Sequence, residues 1–412
     1  MEKKSYLLVS ILIISMALIV PQGALAQDPI KIGFLAPLAG SRAQMGQDMA
    51  AGWEMALKEA NYKAGGRTIK FIAEDHGSPN VAVNKARKLI THDKVALAGG
   101  IFSSSVAYAV APVFSEANVP FIITGTNAND ITQRKASKAV IRVNAAGSQV
   151  CHVAGDYAYN HLGWKTVTII GWEHAFGQES ISAFLRVFEE AGGKVIQRIY
   201  VPRKTLDFGP YVSNISKESD GVFAVITASP AMRFFRSLNS TGYMKKRNVL
   251  TVLTATDESF LQQIGKIAEG VISLNTWSPS LDTPESTEFV AKATEMTGRP
   301  VTSPMMDAYV GGKWALAAIE KVNGNVEDKE AFMKALWSVK LASTPHGPLS
   351  LDNYGCPIQN VYVRKVEKKG DKYQNSVIYT YKGVSQFWKY DPEKYLKEPP
   401  YSKKFPPCKH CK

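Results

Sequence analysis

Long apolar runs are what this sequence has least of. Beyond the first 26 residues no stretch approaches the roughly 18 consecutive apolar residues that a membrane-spanning helix needs. The one run present, Tyr6 to Val20, follows Glu2, Lys3 and Lys4 and ends at Ala24-Leu25-Ala26 before Gln27. A charged start, a short apolar stretch and a small-residue exit predict a secretory signal peptide over residues 1–26. No cysteine follows that exit, so the lipid-anchor pattern is missing and a freely diffusing periplasmic protein is expected. Cysteine is scarce, four residues in 412. In an oxidising compartment an even count suggests pairing: Cys408-Lys409-His410-Cys411 looks like a metal clip or redox pair but, with no second CxxC, is read as a local disulfide or a frayed tail, and Cys151 with Cys356 is a candidate second bridge.

Signatures of catalysis are also missing. No GxGxxG follows a strand, and there is no GxxxxGK[ST], GxSxG or HExxH. His152, His161, His174 and His346 stand alone, and Glu74 and Asp75 end a strand without a second acid whose spacing would pair with them. An enzyme, a cofactor and a metal site are therefore not expected. The formal charge is +13, one unit of it in the leader, and the lysines are scattered until the C-terminal tail. Without a basic stripe or a helix-turn-helix ahead of the first strand, nucleic acid is not the expected partner, whereas a mild bias toward anionic ligands is.

What is present is a long alternation of strand and helix patterns. Ile30 to Ala36, Thr68 to Glu74, Val95 to Gly100, Val119 to Thr124 and Val140 to Asn144 read as strands, with helices over Gly46 to Tyr62, Asn80 to Thr91 and Val106 to Ala117. A second series runs from the helix Gly147 to His161 through strands Thr166 to Trp172, Lys194 to Val201, Gly221 to Thr227, Asn248 to Thr254 and Gly270 to Thr276. Its helices are Phe176 to Ala191, Phe208 to Glu218, Pro230 to Gly242 and Glu258 to Ile264. Such βαβ units imply parallel sheets with right-handed crossovers, and the chain is too long for one core, so two α/β lobes are expected. Three helices then follow without a strand between them, Pro284 to Met296, Ser303 to Val322 and Lys329 to Val339, and these are expected to return to the first lobe. Strands Gln359 to Glu367 and Ser376 to Tyr381 come next, and the Pro-, Lys- and Tyr-rich stretch from Trp388 is read as a surface wrap rather than a disordered tail.

Between the third strand and its helix lies Gly99-Gly100-Ile101-Phe102-Ser103-Ser104-Ser105, and after the next strand lies Thr124-Gly125-Thr126-Asn127. Hydroxyls beside the unpaired amides of a helix N-terminus suit a small carboxylate, and two adjacent parallel strands would bring both turns to one sheet edge. The plain alternative is that Ser104 or Ser105 only caps the helix.

Ile30-Lys31-Ile32-Gly33-Phe34, the GG-x-x-Ser-Ser-Ser turn followed by Ala109-Val110-Ala111-Pro112, and Val119-Pro120-Phe121 together resemble the type I periplasmic solute-binding proteins of ABC transporters, the leucine/isoleucine/valine-binding family. The likeness runs from Pro29 to about Tyr381. It implies two Rossmann-like parallel-sheet lobes joined by a three-segment hinge, one ligand in the cleft, a membrane permease as partner, and no reaction. Residues 27–144 and 275–350 would form one lobe, 145–274 and 351–387 the other, with 388–412 as a tail. By position the resemblance assigns Ser104 and Ser105 to the ligand carboxylate, Gly125 and Asn127 to the facing turn, Met45 to the first loop, and Phe176 and Ala228 to the second lobe. Asp257 matches the acid that holds a ligand ammonium, and it equally suits the N-cap of the following helix. The expected ligand is a branched-chain or other hydrophobic amino acid; alternatives are an aromatic or branched organic acid without an amine, or a sensory role for the same fold.

Overall fold

The computed structural model describes residues 28–411, so the expected leader lies outside the described residues. The first sheet contains β1 (Ile30–Ala36), β2 (Lys63–Ala64), β3 (Arg67–Asp75), β4 (Leu97–Gly100), β5 (Phe121–Ile123) and β6 (Val140–Arg142), in the order β2-β3-β1-β4-β5-β6. All its pairings are parallel except the short β2–β3 hairpin. Helices α1 (Ala43–Glu59), α2 (Pro79–Thr91) and α3 (Ser104–Glu116) connect these strands. Leu35 of β1 lies beside Gly100 of β4, and Gly100 beside Ile123 of β5, so the loops after all three strands emerge at one edge. That alignment positions the site.

The second sheet holds β7 (Thr166–Trp172), β8 (Lys194–Val201), β9 (Gly221–Val225), β10 (Asn248–Val252), β11 (Ile272–Asn275), β12 (Ser350–Leu351), β13 (Pro357–Lys369) and β14 (Lys372–Val384). Its order is β12-β13-β11-β10-β9-β7-β8, with β14 against β13. Strands β7 to β11 are parallel, while β12, β13 and β14 add antiparallel pairs at one side. The fold is therefore two α/β lobes in which the second sheet is mixed rather than wholly parallel. Its helices are α4 (Gly147–Asn160), α5 (Ala175–Glu190), α6 (Gly209–Ser213), α7 (Pro230–Ser240) and α8 (Glu258–Ala268).

Helices α9 (Pro284–Thr297), α10 (Ser303–Lys321) and α11 (Lys329–Ser338) share the core of the first sheet through Phe289, Trp314 and Leu336. The chain passes from one core to the other near residues 144, 276 and 353. Caps explain where several helices begin: Ser78, Thr283 and Asp328 accept backbone amides at the starts of α2, α9 and α11, and Pro79 and Pro284 occupy first-turn positions where no donor is needed. No helix among the described residues is long and apolar enough to cross a membrane.

Three sequence expectations need correction. The helix expected over Phe208 to Glu218 is only α6, because Ser213 and Asn214 turn their side chains back onto the carbonyls of Gly209 and Pro210, and Ser219 onto Ser216. Such local bonds compete with helix propagation. The last two strands are longer than expected, a hairpin of two 13-residue arms whose lysines had read as loop. Cys151 and Cys356 are both free and buried, the first on α4 and the second beside Arg142, and burial pushes each thiol up to about 12. Cys408 and Cys411 do form a local disulfide.

The tail wraps the second lobe and includes a short helix, α12 (Pro392–Lys397). Phe387, Tyr395 and Tyr401 are buried in that lobe's core, Tyr401 bonds His152 Nε2 at 2.9 Å, and Glu398 takes a two-pronged ion pair from Arg186. From the other lobe Arg134 donates to the carbonyls of Tyr395, Glu398 and Pro399. The tail is thus tied to both lobes.

Candidate functional site

The serine turn is made possible by close backbone approach. A Cβ at Gly99 would stand 2.4 Å from the Trp53 ring, and one at Gly100, whose φ is +112°, would stand 2.2 Å from the Leu35 carbonyl oxygen. Ile101 follows in the left-handed region at φ +66° and donates its amide to that same carbonyl at 2.7 Å. A non-glycine residue held there is strained, and such strain persists only where surrounding contacts overdetermine it. The bend delivers the chain to the first turn of α3.

That turn is capped by no side chain: Ser103 is the N-cap residue, and its hydroxyl pairs with Ser105 at 3.1 Å instead. The amides of the first turn consequently have no intrahelical partner, and they lie at the positive end of the helix dipole. Ser104, 9% exposed, directs its hydroxyl to Thr126 Oγ1 at 3.1 Å, which joins the β4 and β5 turns. Thr126 is itself fully buried. One of these two hydroxyls must act as acceptor toward the other, which leaves the pair with a proton to offer a third partner.

The other sequence-assigned positions are distributed unevenly. Ser105 is exposed and bonded to Ser103, away from Thr126. Gly125 sits in the turn with Thr126, where a Cβ would meet the Met49 methyl at 2.7 Å. Asn127 does not offer its amide group freely: Nδ2 donates to the Ala145 carbonyl at 2.8 Å and its own carbonyl accepts from Gly147, so it braces the first crossing between lobes. Met45 is half-buried on α1, which begins three residues earlier than the sequence pattern suggested, so Met45 belongs to a helix turn rather than to the loop before it. Phe176 is buried in the first turn of α5, with Gly177 next to it because a Cβ there would lie 2.0 Å from the Trp172 carbonyl oxygen. Ala228 forms the corner after β9 at φ +60°, donating to the Thr254 carbonyl at 3.1 Å.

Asp257 is the N-cap of α8. Its Oδ1 accepts from Ser259 N at 3.1 Å and from Ser259 Oγ at 2.5 Å, and its carboxyl is raised by burial against the opposing effects of Ser259 and Arg364. Of the two roles open to it in the sequence, the cap is present.

Several polar residues that matter to the lobe interface carry no sequence signal. Glu179 on α5 accepts from Tyr108 Oη and from the Asn129 amide of the opposite lobe, both at 2.8 Å. Desolvation pushes this carboxyl up to about 7, against those two donors. Asp48 on α1 is held by Arg299 at 2.9 Å and by Gln44, and burial raises it to about 6; Asp257 of the other lobe adds to that rise. Nothing local to Phe176-Gly177 announces Glu179, because its partners lie 71 and 50 residues away in sequence. Among the described residues no group of His, Cys, Asp or Glu is arranged to hold a metal.

The two-lobe α/β architecture has counterparts among known proteins. A family model described as periplasmic binding protein matches residues 29–371. The chain belongs to the periplasmic binding protein family. This periplasmic binding protein is 28% identical over 363 residues to Leu/Ile/Val-binding protein homolog 6 of Brucella suis, covering 86% of the chain and 92% of the relative. It superposes on an ABC transporter substrate-binding protein from Sphaerobacter thermophilus with a TM-score of 0.84 at 32% identity, covering 87% and 99% of the two chains. A solute-binding protein of an ABC transporter from R. palustris, solved in complex with 4-hydroxybenzoate, matches at a TM-score of 0.82 and 29% identity over 87% and 99%. The family is one of solute binders that work with ABC transporters, and its members here include both an amino-acid name and an aromatic acid.

Proposed function

We propose that this periplasmic binding protein is the exported capture component of an ABC importer, and that its ligand is a small organic acid with an apolar or aromatic body and no amine. The observation that carries the carboxylate is the Ser104–Thr126 hydroxyl pair beside the uncapped first turn of α3. Charge-assisted bonds from such donors are about twice as strong as neutral ones. The absence of an amine is supported by Asp257, whose Oδ1 is committed to Ser259 in capping α8 and whose carboxyl is raised by burial, which weakens it as a counter-charge. Met45 and Phe176 supply apolar surface for the body of the ligand, and the neighbour holding 4-hydroxybenzoate fits the same ligand class. Capture proceeds by hinge closure: the first lobe takes the carboxylate, the second covers it, and the closed form is what a permease recognises.

A second reading, a hydrophobic amino acid, is supported by the Leu/Ile/Val-binding relatives. A thermal-shift screen of the mature protein separates the two. Benzoate-like and cinnamate-like acids should raise the melting temperature, since a ligand at 100 times its Kd adds about 2.7 kcal/mol to stability. Stabilisation by leucine, isoleucine or valine alone would overturn the ligand choice.

A further inference from the structure

We infer that the cleft carries a second anion subsite, built by Arg42 of the first lobe and Arg203 of the second, so that the ligand is a dianion with an acidic group at each end of an apolar body. The inference rests on the proposed function in that it takes the first acidic group to lie at Ser104.

Arg42 immediately precedes α1, and its guanidinium carbon stands 5.8 Å from the ring centroid of Phe102, two residues before Ser104. It therefore lies against the turn that presents the carboxylate site. Arg203 follows β8 in the other lobe and is exposed; Trp172 of β7 pairs with Val201 of β8, so His174 and Arg203 each stand two residues beyond that pair at one sheet edge, and the Arg203 charge acts on both His174 and Arg42. His174 is the N-cap residue of α5, with its ring 6.2 Å from both Trp172 and Phe176. Two guanidiniums and an imidazole from opposite lobes thus converge beside the aromatic rings Phe102 and Phe176.

No hydrogen bond or ion pair among the described residues neutralises this charge. Neither Arg42 nor Arg203 forms a hydrogen bond or ion pair with any described residue, whereas the buried Arg364 donates to Ser273, Trp277 and Leu253 and Arg142 donates to the carbonyls of Thr126, Ala128 and Ala145. On the Arg42 side His76 bonds the Gly77 carbonyl, and Asp75 engages the amides of Leu38 and Gly77. Both groups lose affinity for their protons in consequence: burial and then Arg203 lower Arg42 to about 10, and burial followed by the two arginines lowers His174 to about 4. His174 is neutral at physiological pH and can donate to an anion without adding repulsion. Like charges placed across a closing gap oppose closure unless an anion sits between them, so closure is coupled to a ligand that brings that anion. A planar guanidinium from each lobe matches a carboxylate in two-pronged geometry.

The test is calorimetry on the mature protein with benzoate and with terephthalate, which adds a second carboxylate to the same ring. Terephthalate should bind at least ten-fold more tightly, and Arg42→Gln and Arg203→Gln should each cut its advantage over benzoate by ten-fold or more. Both side chains are partly or fully exposed, so the variants should melt, without ligand, at or above the temperature of the parent. Benzoate binding with no gain for terephthalate, or a ratio that neither substitution changes, overturns the second subsite and leaves the proposed function standing. Binding of neither acid together with stabilisation by leucine overturns both.

Discussion

Glu179→Gln is the substitution that tests the lobe interface most directly. The carboxyl is 8% exposed and bridges Tyr108 and Asn129 across the lobes. Desolvation raises it from 4.5 to about 7. Because the folded protein holds this proton more tightly than the unfolded chain, the group's contribution to stability is complete below pH 4.5 and is lost as the pH rises to 7. At 1.36 kcal/mol per pKa unit the loss amounts to about 3 kcal/mol, with a steepest slope of about 1.4 kcal/mol per pH unit. Glutamine has no proton to lose. It also turns an NH2 group toward one of the two donors, which costs about 1–3 kcal/mol at every pH. Urea unfolding of both proteins at intervals from pH 4 to pH 8 separates these effects: the constant offset measures the mismatched donor, and the pH-dependent part measures the proton. Asp48, also raised by burial, slopes the same way in both proteins and cancels in the difference. A difference between parent and variant that is flat from pH 4.5 to 7, or that grows with pH, would refute the reasoning.

Three further outcomes are expected. Ser104→Ala should weaken binding of the native acid about ten-fold to hundred-fold by calorimetry, with the unliganded melting temperature little changed, since it removes one charge-assisted bond; unchanged affinity would move the carboxylate elsewhere. Asp257→Asn should leave affinity for an amine-free acid within about two-fold and lower stability by less than about 1 kcal/mol, because asparagine is also a good N-cap, whereas a large loss of affinity would return Asp257 to the ligand. Arg134→Ala should loosen the tail from the first lobe, seen as faster amide hydrogen exchange at Tyr395 to Glu398, and identical exchange would show that the tail is held by the second lobe alone.

What the sequence determined by itself is what depends on near neighbours. β7 and β8 were legible to the residue, because each is a short run rich in β-branched and aromatic residues that follows turn glycines, Gly163 before β7 and Gly192-Gly193 before β8. The serine turn was legible because Gly-Gly followed by hydroxyls specifies a tight bend into a helix wherever it occurs. The same local logic left Asp257 with two roles, since an acid before a helix looks the same whether or not a ligand faces it. Only the folded chain decided that it caps α8 through Ser259. Tertiary structure alone also brought Ser104 to Thr126, Glu179 to Tyr108, and Thr132 to Gln386, partners 22, 71 and 254 residues apart. Periodicity carries no information about such pairs. The lengths of β13 and β14 were missed for a related reason: their lysines and glutamines read as solvated loop, and only pairing of the two arms supplies the hydrogen bonds that make them strand. Arg42 and Arg203 are the extreme case, because each looks like an ordinary surface cation until three crossings of the chain set one lobe against the other.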